Sequence, residues 1–255
     1  MFNERVRHIT ELARQARFEG NFEYGFNIIK DELPKLPQYD ALVWQHQPLF
    51  WSPIVAGNYT LTRRDFSDAD FVESLWGDSN FRRRFHRQAL DLPPRVQLEK
   101  LLRGEFLSLI GESKALHWII RDKVGQAQGL LSLTEISMQH RRAEVLLGLS
   151  PKAPVGIAAA AMFMLFQFFF RTMKFYKLVS IIYTDNDIAL KTTVHLGFRI
   201  EGILRGHMLD PASGHYVDLY QLALLESEAF RPANQRLISR MLMQRIGRNF
   251  HIKID

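Results

Sequence analysis

Residues 157–170 read IAAAAMFMLFQFFF, fourteen positions with one polar side chain, Gln167. A run this apolar has to be covered on every side. It falls short of the roughly 20 residues that a membrane-spanning helix needs, so it is expected as a helix sealed inside a protein core. The flanking sequence supplies the layers to cover it. Residues 59–62, 116–121, 128–136, 143–149, 178–184, 198–208 and 216–225 are short, rich in Leu, Ile and Val, and bounded by polar or turn residues. Each reads as a strand. Helices are expected from Ser67-Asp68-Ala69-Asp70 onward, over 81–103 with a break at Pro93-Pro94, and over 187–195. The pattern predicts a mixed α/β (α+β) fold.

The two ends have a different texture. Residues 1–33 carry apolar side chains at helical spacing, and Pro34 and Pro37 end that stretch. An aromatic, loop-like connector follows with Tyr39, Trp44, Phe50 and Trp51, closed by Pro53 and Gly57. Residues 1–57 therefore read as a helical N-terminal extension, too small for a sizeable core of its own. Residues 58–230 form the main domain, and residues 231–255 a basic amphipathic C-terminal helix. That last segment carries six Lys/Arg against one acid, so most of the net charge of +6 belongs to it. Its apolar stripe (Leu237, Ile238, Met241, Leu242) suits docking on the main domain, pairing in a homodimer, or lying on an anionic membrane surface. A nucleic-acid enzyme would spread its cations over a broad working face, so nucleic acid is not the expected partner. The sequence contains no Cys, which excludes disulfides, thiolate metal sites and cysteine nucleophiles. The nine His are scattered without metal-ligand spacing, and no metal is expected. With neither a secretory signal pattern nor a spanning segment in view, the cytoplasm is the expected compartment.

One string of residues carries a family resemblance. Residues 143–151 (AEVLLGLSP) are followed by Gly156-Ile157-Ala158, then Asn186-Asp187-Ile188-Ala189, Leu196-Gly197-Phe198, Glu201-Gly202 and Leu204-Arg205. Their order resembles the acetyl-CoA-binding core of GNAT-superfamily N-acetyltransferases, and is similar to the ribosomal-protein N-acetyltransferase-like branch. The likeness covers roughly residues 58–230. It implies a twisted, mostly antiparallel sheet of about seven strands flanked by helices, splayed in the middle where acetyl-CoA enters as cosubstrate.

The resemblance also assigns roles. Backbone near Leu147 and Leu149 would pair with the pantetheine arm and polarise the thioester. The turn of Val155, Gly156, Ile157 and Ala158 would hold the pyrophosphate at a helix start, where unpaired N–H donors and partial positive charge converge. Asn186 would contact the coenzyme arm and can also cap the helix it precedes. Glu144 is the candidate base, its carboxyl raised by burial. Thr193 stands where the family often has an acidic Tyr; Tyr183, Tyr216 and Tyr220 lie in strands and could face the cleft. At the phosphate loop the chain departs from the branch's Arg-Gly-x-Gly-x-Ala, with Ala153 for the Arg and Pro154, which has no N–H, for the first Gly. The basic run 81–87 falls where acceptor sites vary; an acidic acceptor, a phosphate or a plain exposed helix face would each explain it. The implied activity is acyl transfer from acyl-CoA to a primary amine, either a protein N-terminus or a small amine. The alternative is a catalytically weak or inactive GNAT-fold module that binds acyl-CoA or a protein partner.

Overall fold

The computed structural model describes residues 2–85, 87, 91–232 and 252–254. In chain order the elements are α1 (Phe2–Phe18), α2 (Phe22–Glu32), α3 (Asp40–Gln45), β1 (Ile54–Ala56), β2 (Tyr59–Arg63), α4 (Ala69–Gly77), α5 (Ser79–Phe85), α6 (Arg95–Leu107) and α7 (Ile110–Ser113). Then come β3 (Leu116–Arg121), β4 (Ala127–Ser137), β5 (Arg142–Leu149), α8 (Ile157–Phe166), β6 (Lys177–Tyr183), α9 (Asp187–His195), β7 (Arg199–Asp210), β8 (His215–Leu225), α10 (Glu226–Ala229) and β9 (Ile252–Ile254). They build one sheet in the order β7-β8-β6-β5-β4-β3-β2-β1-β9. Every pairing is antiparallel except β5 with β6.

The apolar run behaves as its composition requires. Eight of the ten residues of α8 are buried, so the helix has no wet face. It continues as a π-helical turn, Gln167–Thr172, closed by a hydrogen bond from Met173 N–H to Phe168 O at 2.8 Å. The wider turn tucks Phe168, Phe169 and Phe170 into the core in succession. On the sheet side this helix meets Trp118, Leu131, Leu133, Val145 and Leu178. A second core covers the opposite face, where Val72, Leu75, Phe81, Leu98 and Leu102 pack on Ile119 and Leu130. The sheet is thus a middle layer between α8 and the group α4–α6.

The seven strands expected from the sequence are β2 to β8. Strand β1 was not foreseen: it is three residues long, wedged between Pro53 and Gly57, and has no room to show an alternation. Gly57, at φ +59°, makes the turn into β2. The stretch between Pro34 and Pro53, expected as loop-like, forms α3 and two short 3-10 turns that open on Pro37 and Pro48. Its aromatics do structural work, since Phe50 and Trp51 belong to the main core together with Ile54 and Ala56. Helices α1 and α2 pack on each other around Ile9, Ala13, Ile28 and Ile29. The basic helix expected over 231–255 lies largely outside the described residues; of that segment, Ile252–Ile254 pairs antiparallel with β1.

Candidate active site

Strands β5 and β6 are paired only from Arg142↔Lys177 to Glu144↔Val179, although β5 runs on to Leu149 and β6 to Tyr183. Beyond Glu144 they part. Backbone on that edge of β5 has no strand partner, and unpaired N–H and C=O groups there are available to a ligand's amides. The gap opens into a cavity of about 680 Å³.

Its walls come from five elements, with β6 contributing Ser180, Ile181, Ile182 and Tyr183. Strand β5 contributes Leu147, Gly148 and Leu149, α8 contributes Ala158 and Met162, α9 contributes Thr193, and α5 forms a roof with Phe81, Arg84 and Phe85. The roof lies directly on β5: a Cβ on Gly148 would come within 2.5 Å of the Phe85 ring and 2.6 Å of the Phe81 ring. Only glycine allows that approach.

Residues 153–158 lead into α8. Gly156 is its N-cap, at φ +96° and ψ −11°, a left-handed conformation suited to glycine. Val155 is 76% exposed, so its side chain stands clear of the backbone donors. Ile157 turns its side chain fully into the core and its N–H back to the Pro154 carbonyl at 3.3 Å. Ala160 N–H closes the first helical bond to the Gly156 carbonyl at 3.2 Å, and the N–H groups of Ala158 and Ala159 before it have no intrahelical acceptor. Asn186 caps α9, its Oδ1 accepting from Ala189 N–H at 3.3 Å, while Nδ2 donates to the Arg84 carbonyl at 3.5 Å.

Glu144 marks the point of divergence. Its neighbours Ala143 and Val145 enter the main core, so strand alternation turns Glu144 to the opposite face, the side of α5. It is half-buried, and burial, reinforced by the nearby Glu135 carboxylate, pushes its carboxyl up to about 7. Thr193 is half-buried on the cavity wall. The adjacent Thr192 bonds its own helix, donating to Ile188 O at 2.8 Å.

The cavity therefore brings together Leu147, Leu149, Ala158, Asn186 and Thr193. Glu144, at the last β5–β6 pair, and Val155 and Gly156, at the start of α8, lie outside that lining, and Ile157 turns into the core. Of the three tyrosines, Tyr183 lines the cavity, Tyr216 is 71% exposed and Tyr220 packs on the main core. Asp218 is structural, accepting from Gly206 N–H at 2.7 Å. Sequence reasoning gave too little weight to α5. The signal was present in Phe81 and Phe85, four residues apart on one helix face, but the arginines between them dominated the reading. Arg87 was read only as one member of the basic run 81–87: its guanidinium lies 4.0 Å from the centre of the Tyr183 ring and pairs with Asp185 and Asp210. Among the described residues no group of three His, Asp or Glu stands together as a metal site.

Comparison with known proteins agrees with this architecture. A family model described as acetyltransferase (GNAT) domain matches residues 60–199. An uncharacterized N-acetyltransferase of Bacillus subtilis is 23% identical over 119 residues, 46% of this chain and 67% of the relative. Spermidine N(1)-acetyltransferase of Escherichia coli is 30% identical over 105 residues, 41% of this chain and 55% of the relative, so the match spans little more than half of that protein. Among solved structures, spermidine N-acetyltransferase from Vibrio cholerae in complex with CoA and spermine superposes with a TM-score of 0.60. It is 21% identical and covers 68% of this chain and 99% of its own. A dodecameric form of the Vibrio cholerae enzyme gives 0.57 at 22% identity, covering 68% of this chain and 97% of its own.

Proposed function

Because this chain belongs to the GNAT acetyltransferase family, we propose that it transfers an acetyl group from acetyl-CoA to a primary amine in the cleft between β5 and β6. The observation that carries the reading is the splay itself, which leaves β5 backbone unpaired beside a cavity, just past Glu144, whose carboxyl is raised to about 7. The cleft suits the cosubstrate. The β5 edge offers amide partners to a pantetheine arm, and the start of α8 offers N–H donors to phosphate.

Near neutral pH Glu144 divides between its two protonation states and can take the proton from an incoming ammonium. The neutral amine then attacks the thioester carbon, and a β5 N–H near Leu147 to Leu149 stabilises the developing oxyanion. Collapse breaks the C–S bond. The Thr193 hydroxyl on the cavity wall would hydrogen-bond the departing thiolate, which takes up the second proton released by the amine nitrogen as the amide forms.

The acceptor belongs to the primary amines, and two relatives named for spermidine make small polyamines the first candidates. Kinship to the ribosomal-protein-like branch rests on the motifs from Asn186 to Arg205. Assembly with further copies of this chain is part of the same proposal. Strand β7 leaves one end of the sheet open with Ile200 and Ile203 half exposed, and one structural neighbour is dodecameric. No described helix is long and apolar enough to cross a membrane. A cytoplasmic setting is proposed, and membrane-surface contact would rest on the tail alone.

Thermal stabilisation by acetyl-CoA, followed by thiol release over a panel of amines, tests the reading. A binder gains stability by mass action. Gly156→Glu should abolish the gain by placing charge and bulk at the phosphate turn. A wild-type protein with no stabilisation at millimolar acetyl-CoA overturns the proposal. Stabilisation without thiol release for any amine favours the alternative of a binding module, which the altered loop at Ala153 and Pro154 supports.

A further inference from the structure

We propose that Arg84 is a phosphate-binding residue of the cleft, its guanidinium supplying from α5 the cation that the loop before α8 does not. The inference rests on the acetyl-CoA reading above and names a residue that reading does not use.

Coenzyme A brings a pyrophosphate and a 3′-phosphate into the cleft, and backbone N–H groups alone leave most of that charge unmatched. The loop offers no cationic side chain at Ala153, Pro154 or Val155, and Lys152 is exposed. Across the cavity, helix α5 carries three consecutive arginines with three different fates. Arg82 is 3.6 Å from Asp91. Arg83 and Arg84 are both exposed, and of the two only Arg84 lines the cavity. Arg84 follows Phe81 at i+3, on the same side of the helix, and both line the cavity together with Ser150 and Pro151.

Arg84 forms no ion pair among the described residues. The neighbouring positions 86 and 88–90 contain no acid in the sequence. Asp78, the acid on the same wall, is turned to the start of α5, where it accepts from Asn80 N–H at 2.8 Å and Phe81 N–H at 3.2 Å. The site is also held in place. Phe81 and Phe85 rest on Gly148, Asn186 donates to the Arg84 carbonyl, and Arg87 ties the following turn to Asp185. The helix backbone is thereby held while the Arg84 guanidinium stays exposed and without an ion pair among the described residues. A guanidinium matches phosphate oxygens in a bidentate fork that an ammonium cannot copy.

The experiment is calorimetry of the full chain with CoA and with dephospho-CoA, for wild type, Arg84→Ala, Arg84→Lys and Arg83→Ala. Arg84→Ala should weaken CoA about tenfold, roughly 1.4 kcal/mol, with Arg84→Lys between it and wild type and Arg83→Ala unchanged. Equal loss for CoA and dephospho-CoA assigns the pyrophosphate; loss for CoA alone assigns the 3′-phosphate. Both support the proposal. It is overturned if Arg84→Ala keeps wild-type affinity or if Arg83→Ala loses as much. Unchanged melting of ligand-free Arg84→Ala shows that the fold is intact. A wild type that binds no CoA instead overturns the cosubstrate reading and this inference with it.

Discussion

Glu144 is half-buried beside a second carboxylate, and both facts favour its protonated form. Two consequences follow from one shift. For catalysis, the base form grows as pH rises through about 7, so kcat should climb over that range. Glu144→Gln should remove most of the turnover while leaving acetyl-CoA affinity intact. For stability the sign is reversed from the usual carboxylate. The folded group is raised above its unfolded value, so the native state holds the extra proton between the two. The carboxyl then costs stability progressively as pH rises from the unfolded value through about 7. The full cost, above pH ~8, is on the order of 1–3 kcal/mol. Glu144→Gln should therefore melt higher than wild type at alkaline pH and alike in acid. Melting curves at the two extremes decide it: a variant less stable in alkali removes the buried-carboxyl account, and a flat kcat profile removes Glu144 as the base.

At the scale of elements, the roof and the strand beneath it act as one unit. Gly148→Ala places a methyl where the Phe81 and Phe85 rings already lie at 2.5–2.8 Å. Phe81 is buried in the second core and has nowhere to yield, so α5 has to rise from β5. Overpacking of this kind costs about 1–3 kcal/mol, and the lifted roof should raise KM for acetyl-CoA more than it lowers kcat. Denaturant melts and steady-state kinetics measure the two effects. An unchanged KM would mean that the roof does not shape the cleft. The same pair shows what the sequence made legible. Strand β5 was readable as a short Leu- and Val-rich run that ends at Ser150-Pro151, and the motif order singled out Glu144, Gly156 and Asn186 as candidates. The roof was not, because which face of α5 meets β5 depends on a missing side chain at residue 148, in a strand far off in sequence. Contacts of that kind leave no periodicity in either partner.

At the scale of the whole molecule, the cleft and strand β9 lie apart in the sheet. The cleft lies between β5 and β6, whereas β9 sits beyond β4, β3, β2 and β1 at the far edge of the sheet. Removing residues 232–255 takes away five Lys/Arg and Asp255, so the net charge falls by four, from +6 to +2. If coenzyme binding drew on the overall field, affinity would fall with it. Screening argues otherwise, since charges more than about 8 Å apart in water are largely hidden from one another at physiological salt. The groups proposed to hold phosphate, Arg84 and the start of α8, and every motif of the family string lie before residue 206 and stay in the truncated chain. The truncated chain should therefore bind acetyl-CoA within a few-fold of the full chain at physiological salt. It also uncovers the edge of β1, but three residues of strand make a poor template for pairing, so light scattering should show the same assembly before and after. Calorimetry of the two proteins side by side is the test. A loss of affinity that persists at high salt would place the tail against the cleft, while a loss confined to low salt would restore the long-range field as part of binding.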